Sequence, residues 1–141
     1  MNTKKFLLAT VAGFVGNFVA YFILEEIALK SYMQEHFYKA SGAADPATLS
    51  PALPMIAVLC MVLIMSYLYP KGYENGKPVI EGLKFGILLG LFAAIPFGIF
   101  FNLLFSIGSG PTLTLILVFT AEVTVSSLAI ALVYGRIQAE E

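Results

Sequence analysis

Apolar residues gather along this chain into four stretches, at about 6–29, 52–69, 82–107 and 111–135, and most of the charge lies between or beyond them. A helix needs about 20 apolar residues to cross a hydrocarbon core about 30 Å thick. The first, third and fourth stretches meet that requirement, and the second, which is marginal, has no charge to interrupt it. Strands of a membrane barrel alternate polar and apolar residues, whereas Ile87 to Phe101 is continuously apolar or small. The pattern therefore predicts an all-α integral membrane protein with four transmembrane helices, each satisfying its own backbone hydrogen bonds.

The segments between the stretches set the order of the helices. The link at 70–78 is short and contains Asn75-Gly76, a strong turn signal. The link at 108–111 is tighter still, and Pro111 suits the first turn of the fourth helix. Short links make successive helices antiparallel neighbours, so the expectation is one domain, an up-down-up-down bundle. The only long connection is 30–51. Its part 31–40 is expected either to continue the first helix or to lie on the membrane surface. Its part 41–46 reads as a turn, with Asp45 or Ser50 beginning a short helical turn before the second span.

Composition strengthens the membrane reading. Of the 141 residues, 59% are hydrophobic and 12% charged, against about 25% charged in a soluble domain. A net charge of −1 gives no electrostatic footprint for nucleic acid. The single cysteine, Cys60, excludes an internal disulfide and is expected to be a small buried hydrophobe. With one His and one Cys, a metal site would need carboxylates for its other ligands, and no cofactor is expected. Met1 to Lys5 followed by an apolar run looks like a signal peptide, but the run is long and Phe18-Val19-Ala20 is a poor cleavage site, so an uncleaved first helix is expected.

Basic residues predict the orientation. Lys4, Lys5, Lys71, Lys77, Lys84 and Arg136 fall on one side and Lys30 and Lys39 on the other. By the positive-inside rule both termini are cytoplasmic. Tyr67, Tyr69, Tyr73 and Tyr134 would then sit at the inner interface, and Tyr32, Phe37 and Tyr38 at the outer one.

Ser66-Tyr67-Leu68-Tyr69-Pro70-Lys71-Gly72, the glycine-rich third stretch, the Lys4-Lys5 start, Gly13 and Gly16 and the long outer connection together resemble a family of small four-helix proteins of the bacterial inner membrane, catalogued as a domain of unknown function. Many members of that family carry a Trp-Tyr pair near the end of the first helix, where this chain has Tyr21-Phe22. The resemblance implies a multi-pass protein of the inner membrane and assigns no activity, cofactor or catalytic residue.

Two rows at helical spacing stand out. Gly82, Gly86, Gly90, Ala94 and Gly98 recur every fourth position and continue with Asn102 and Ser106. Small residues let helix backbones approach closely in lipid, so this row is expected to pack against another helix, of this chain or of a second copy, and Pro96 within it should kink the helix. The first stretch carries Ala9, Gly13, Asn17, Tyr21 and Glu25 on one face. Its small half is expected to meet the third helix and its polar half to meet Asn102.

Glu122 falls near the middle of the fourth stretch, one turn before Ser126. An intramembrane carboxyl is costly and faces the bundle interior or a water-filled cavity. No Lys or Arg lies at that depth, so Glu122 is expected to be protonated and hydrogen-bonded to Ser126, Asn17 or a backbone carbonyl. Glu25 and Glu26 point about 100° apart on a helix and make a poor carboxylate dyad, with Glu26 free to reach interfacial water. His36 reads as a surface residue.

No phosphate-binding glycine loop, HExxH or GxSxG motif is present. The expectation is a non-enzymatic bundle that packs or self-associates through its glycine-rich helix, with the lipid bilayer, a second copy or another membrane protein as partner. The alternative is a small proton- or cation-coupled transporter using Glu122. In size and helix number the chain resembles small multidrug transporters, which carry their embedded Glu in the first helix, whereas here it is in the fourth. A lipid-modifying enzyme, a third option, lacks a motif.

Overall fold

The computed structural model describes residues 3–39, 52–72 and 76–138. Helix α1 (Thr3–Tyr21) widens into a π-helical segment, Phe22–Ala28. Helix α2 (Lys30–Met33) follows and widens in the same way over Gln34–Tyr38. Helix α3 (Ala52–Leu68) ends in a 3₁₀ turn, Tyr69–Lys71. Helices α4 (Pro78–Phe105) and α5 (Ser109–Gln138) complete the chain. No strand occurs among the described residues.

Four of these helices are long and apolar enough to cross a membrane: Thr3–Ala28, Ala52–Lys71, Pro78–Phe105 and Ser109–Gly135. At 1.5 Å per residue, Ala52–Leu68 alone covers about 26 Å, short of a core of about 30 Å. The 3₁₀ turn through Lys71 supplies the missing length.

The bounds differ from the apolar stretches in explicable ways. Helix α4 begins at Pro78, before the apolar run, because proline suits the first turn of a helix. It stops at Ser106, whose φ of 51° is left-handed and whose N–H bonds to the Asn102 carbonyl at 2.8 Å. Helix α5 starts at Ser109, before Pro111, since a proline there forfeits no intrahelical bond. Helix α4 runs on through Pro96. Along the long connection, α2 follows a break at Leu29 (φ −118°) and turns Met33 and Phe37 inward. The Phe37 ring sits 6.2 Å from that of Phe101 on α4. The turn expected at 41–46, with Asp45 and Ser50, lies outside the described residues.

Contacts between helices fix the up-down-up-down order. Along α4, Gly82, Gly86, Gly90 and Gly98 face Ala131, Thr124, Thr120 and Ile116 of α5, in antiparallel register. Along α1, Gly13 faces Ile130 of α5 and Val62 of α3, while Gly16 faces Ala129. Farther along, Asn17 and Tyr21 meet Val58 and Pro54 around one cavity, so α1 and α3 are also antiparallel.

The glycine row on α4 packs within the chain. A Cβ on Gly86 would lie 2.6 Å from the Thr124 Cα, and one on Gly90 2.9 Å from the Thr120 Cα. Ala94 is buried in the same row. The hydroxyl of Ser127 donates to the Gly82 carbonyl at 2.8 Å, a bond that only so close an approach permits. The small half of α1, expected against the third membrane helix, instead packs against the fourth, α5. There Ser126 Oγ donates to the Gly13 carbonyl at 2.9 Å.

Helix α5 is thus the hub. Val123, Ser126, Ser127, Ile130 and Ala131 are buried along it. Its polar character is absorbed locally: Thr112, Thr120 and Thr124 each donate to the carbonyl four residues back at 2.7 Å. At the end of the bundle away from the α4–α5 turn, Tyr69 stacks on Tyr134 at 5.7 Å and meets Phe85 edge-on at 5.6 Å. The Tyr134 hydroxyl donates to the Ser66 carbonyl at 3.0 Å. Large apolar side chains such as Leu88, Phe92 and Leu103 point away from the bundle, as a lipid solvent requires. Cys60 is exposed on this outer surface and is not the buried hydrophobe expected of it.

Candidate functional site

Glu122 is 8% exposed and Asn17 3% exposed. They sit near the middles of the spans Ser109–Gly135 and Thr3–Ala28. The partner expected for Glu122 is engaged elsewhere, because the Ser126 hydroxyl bonds to the Gly13 carbonyl on the neighbouring helix. Glu122 Oε1 and Asn17 Nδ2 are both buried without a hydrogen-bond partner. Such groups are rare in folded proteins, and each calls for an explanation.

Both residues border a cavity. Glu122 and Asn17 line a space of about 280 Å³ together with Phe18 and Tyr21 of α1 and Pro54, Met55 and Val58 of α3. Helix α1 presents Asn17, Phe18 and Tyr21 at i, i+1 and i+4, and α3 presents Pro54, Met55 and Val58 at the same spacing. Two such faces meet as the walls of the cavity, with Glu122 of α5 between them. The space exists because α3 leans on the bundle at its other end, through Val62, Met65 and Tyr69, while Ala52 to Ala57 stand exposed.

The electrostatics are one-sided. Among the described residues, no Lys, Arg or His lines the cavity. Glu25, one turn beyond Tyr21 on α1, lies close enough for its carboxyl to interact with that of Glu122. Its neighbour Glu26 points elsewhere and forms an ion pair with Lys30 at 3.2 Å. The π-helical widening at Phe22–Ala28 carries both carboxylates, and π-turns are frequent at functional sites.

Of the residues singled out from sequence, Glu122, Asn17 and Tyr21 meet in this cavity, and Glu25 stands nearby. Asn102 does not join them. Its side chain accepts the Gly108 N–H at 2.9 Å and braces the α4–α5 turn, where Gly108 has a φ of 92°. Gly82, Gly86, Gly90, Ala94 and Gly98 serve the α4–α5 contact alone. Phe18, Pro54, Met55 and Val58 were not foreseen, because an apolar helix in lipid carries no polar mark of its inward face. His36 stacks on Tyr32 at 4.4 Å, outside the cavity. No group of three or more His, Cys, Asp or Glu able to hold a metal ion occurs among the described residues.

Two further cavities are apolar. One lies along Phe14, Phe18, Phe22 and neighbours on α1, and another lies between α3, α4 and α5 around Met65, Leu89 and Phe119. Neither holds an unpartnered polar atom, and both suit acyl chains.

Comparison with protein-family models, curated proteins and solved structures finds no match for this chain.

Proposed function

We propose that this chain is a non-enzymatic, proton- or cation-coupled carrier of the bacterial inner membrane, with both termini cytoplasmic and Glu122 as its titrating group. The observation that supports it best is the pair of unpartnered buried polar atoms, Glu122 Oε1 and Asn17 Nδ2, on two residues that line one cavity. A purely structural clamp would close a hydrogen bond between such groups, since leaving them unmade costs about 1–3 kcal/mol each. A transport site leaves them open for its ligand. The six basic residues at one end of the bundle against two at the other support the orientation. Self-association through the glycine row loses its support, because α5 covers that face.

The test is proton flux. The full chain, reconstituted in liposomes that enclose a pH-sensitive dye, should carry protons inward after an external acid jump. Glu122→Gln should fold, elute as a single species and lose that flux. Equal flux from both proteins would overturn the reading.

A further inference from the structure

Helices α3 and α4 follow one another through a short link, yet they part within the membrane. At the end of the bundle that holds the termini, the Tyr69 ring meets Phe85 edge-on at 5.6 Å. Farther into the bilayer a groove of about 170 Å³ separates the two helices. Met61 and Met65 of α3 and Leu89 and Ala93 of α4 line it, together with Phe119 and Val123 of α5. It opens to the hydrocarbon past Ile64 and Phe92, which are 59% and 79% exposed. The lining is apolar throughout.

The size of the groove decides what can fill it. One turn of helix, about 5.4 Å long and about 10 Å across, occupies about 400 Å³. A second helix therefore does not fit, whereas a single hydrocarbon chain does. The depth is that of one leaflet. At about 1.5 Å per residue, Met61 lies about 15 Å along α3 from Lys71, and Ala93 about 14 Å along α4 from Lys84. Half of a hydrocarbon core about 30 Å thick is about 15 Å. The groove thus ends near the midplane, and each helix carries a lysine at the level of the headgroups.

Those lysines are placed for an anion. Ile64, Tyr67 and Lys71 follow one another at helical spacing along α3. Lys71 Nζ donates to the Tyr67 hydroxyl at 2.6 Å and lies 3.9 Å from the centre of its ring. The ammonium is folded back along the helix toward the groove and retains two N–H donors. On α4, Lys84, Leu88 and Phe92 form a row at i, i+4 and i+8 that leads to the opposite rim, and Lys84 is exposed. Among the described residues no carboxylate pairs with either lysine. Glu81, one turn before Lys84, is buried with its carboxyl against Gly76.

We infer that this groove binds an anionic phospholipid from the leaflet on the side of the termini, with one acyl chain between α3 and α4 and the phosphate held by Lys71 and Lys84. Basic residues at the mouth of a cleft between membrane helices hold anionic headgroups by charge, and the chain adds apolar contact along the groove. The site is separate from the Glu122 cavity, which lies between α1, α3 and α5, and it does not depend on transport.

The test counts lipids bound to the full chain in neutral detergent micelles by native mass spectrometry. The probes are dioleoylphosphatidylglycerol, dioleoylphosphatidylcholine, which has the same chains but no net charge, and glycerol phosphate, which has no chain. One phosphatidylglycerol should bind per chain, saturably and about tenfold or more tightly than phosphatidylcholine. Lys71→Gln and Lys84→Gln should each weaken it by about fivefold, the worth of one basic residue at an anionic surface. Ala93→Phe, which fills the groove and keeps both lysines, should weaken it by about tenfold. Leu103→Phe, at a position 74% exposed outside the groove, should leave binding unchanged. So should Lys4→Gln combined with Lys5→Gln, at the start of α1. Equal binding of the two phospholipids would overturn the proposal, because the lysines would then be idle. A loss at Lys4 and Lys5 equal to that at Lys71 and Lys84 would overturn it in favour of diffuse surface charge. Displacement of phosphatidylglycerol by an equal concentration of glycerol phosphate would overturn it in favour of a soluble phosphate. Undiminished binding to Ala93→Phe would overturn the position of the chain, and a dimer that Ala93→Phe dissociates would overturn it in favour of a second copy. The comparison of the three probes on the unaltered chain decides the matter even where a variant fails to fold.

Discussion

Glu122 is held at the centre of α5 with one carboxyl oxygen unpartnered, and that has a stability consequence. Replacing an unsatisfied buried polar group by an apolar one of similar size removes a desolvation cost of about 1–3 kcal/mol. Glu122→Met should therefore raise the unfolding free energy of the bundle by about that much, read from denaturation in mixed detergent micelles. Ser126→Ala should lower it by about 0.6–1 kcal/mol, the usual worth of one interhelical bond in lipid, because the Gly13 carbonyl loses its second donor. If Glu122→Met destabilised the protein, the carboxyl would be a structural clamp after all. At this scale the sequence was half legible. A lone carboxyl in the middle of an apolar stretch identifies itself. Its partner does not: Ser126 shares the right face, yet its hydroxyl goes to a carbonyl on α1 that is reachable only because Gly13 has no side chain. Asn102 likewise looked like a member of the polar cluster and instead braces the turn that follows it, a role set by the left-handed backbone at Ser106 and Gly108.

Between elements, the close contact of α4 with α5 rests on missing side chains. A Cβ on Gly86 would fall 2.6 Å from a backbone atom of α5, where neither partner can yield without moving a helix. Gly86→Ala is expected to cost about 1–3 kcal/mol, the range for overpacking a filled interface, and Gly86→Leu or Gly90→Leu more. Leu88→Ile, on a side chain that is 71% exposed to the bilayer, should cost almost nothing. Equal losses at Gly86 and Leu88 in the same detergent assay would refute the packing. The row itself was legible, since small residues every fourth position have few other uses in lipid. Its partner was not, nor was that of the Ala9–Gly13 face, because spacing identifies a face and says nothing of which helix covers it. Both rows turn out to pack on α5, which carries the hydroxyls that bond to their carbonyls. The walls contributed by α3 were the least legible of all, since every face of that helix is apolar and only the tertiary arrangement distinguishes the one that lines the cavity.

At the scale of the whole molecule, four antiparallel crossings gather the ends of the chain on one side. The start of α1, the turn after α3, the start of α4 and the end of α5 lie together, and these segments carry Lys4, Lys5, Lys71, Lys77, Lys84 and Arg136. Lys30 and Lys39 lie at the opposite end. The number of crossings and their order were legible from four apolar stretches and short links. The direction in the membrane depends on the charge bias acting during insertion, which makes it a prediction. In a Cys60→Ser background, a cysteine at Ser109, on the α4–α5 turn, should react with a membrane-impermeant maleimide in intact cells. A cysteine at Gly72, where an added side chain meets nothing within 4 Å, should react only after the membrane is permeabilised. The reverse pattern would overturn the orientation while leaving the bundle untouched. Changing Lys71, Lys77 and Lys84 together to Gln reduces the bias to three basic residues against two, so this variant should label at both positions, as a population inserted in both directions.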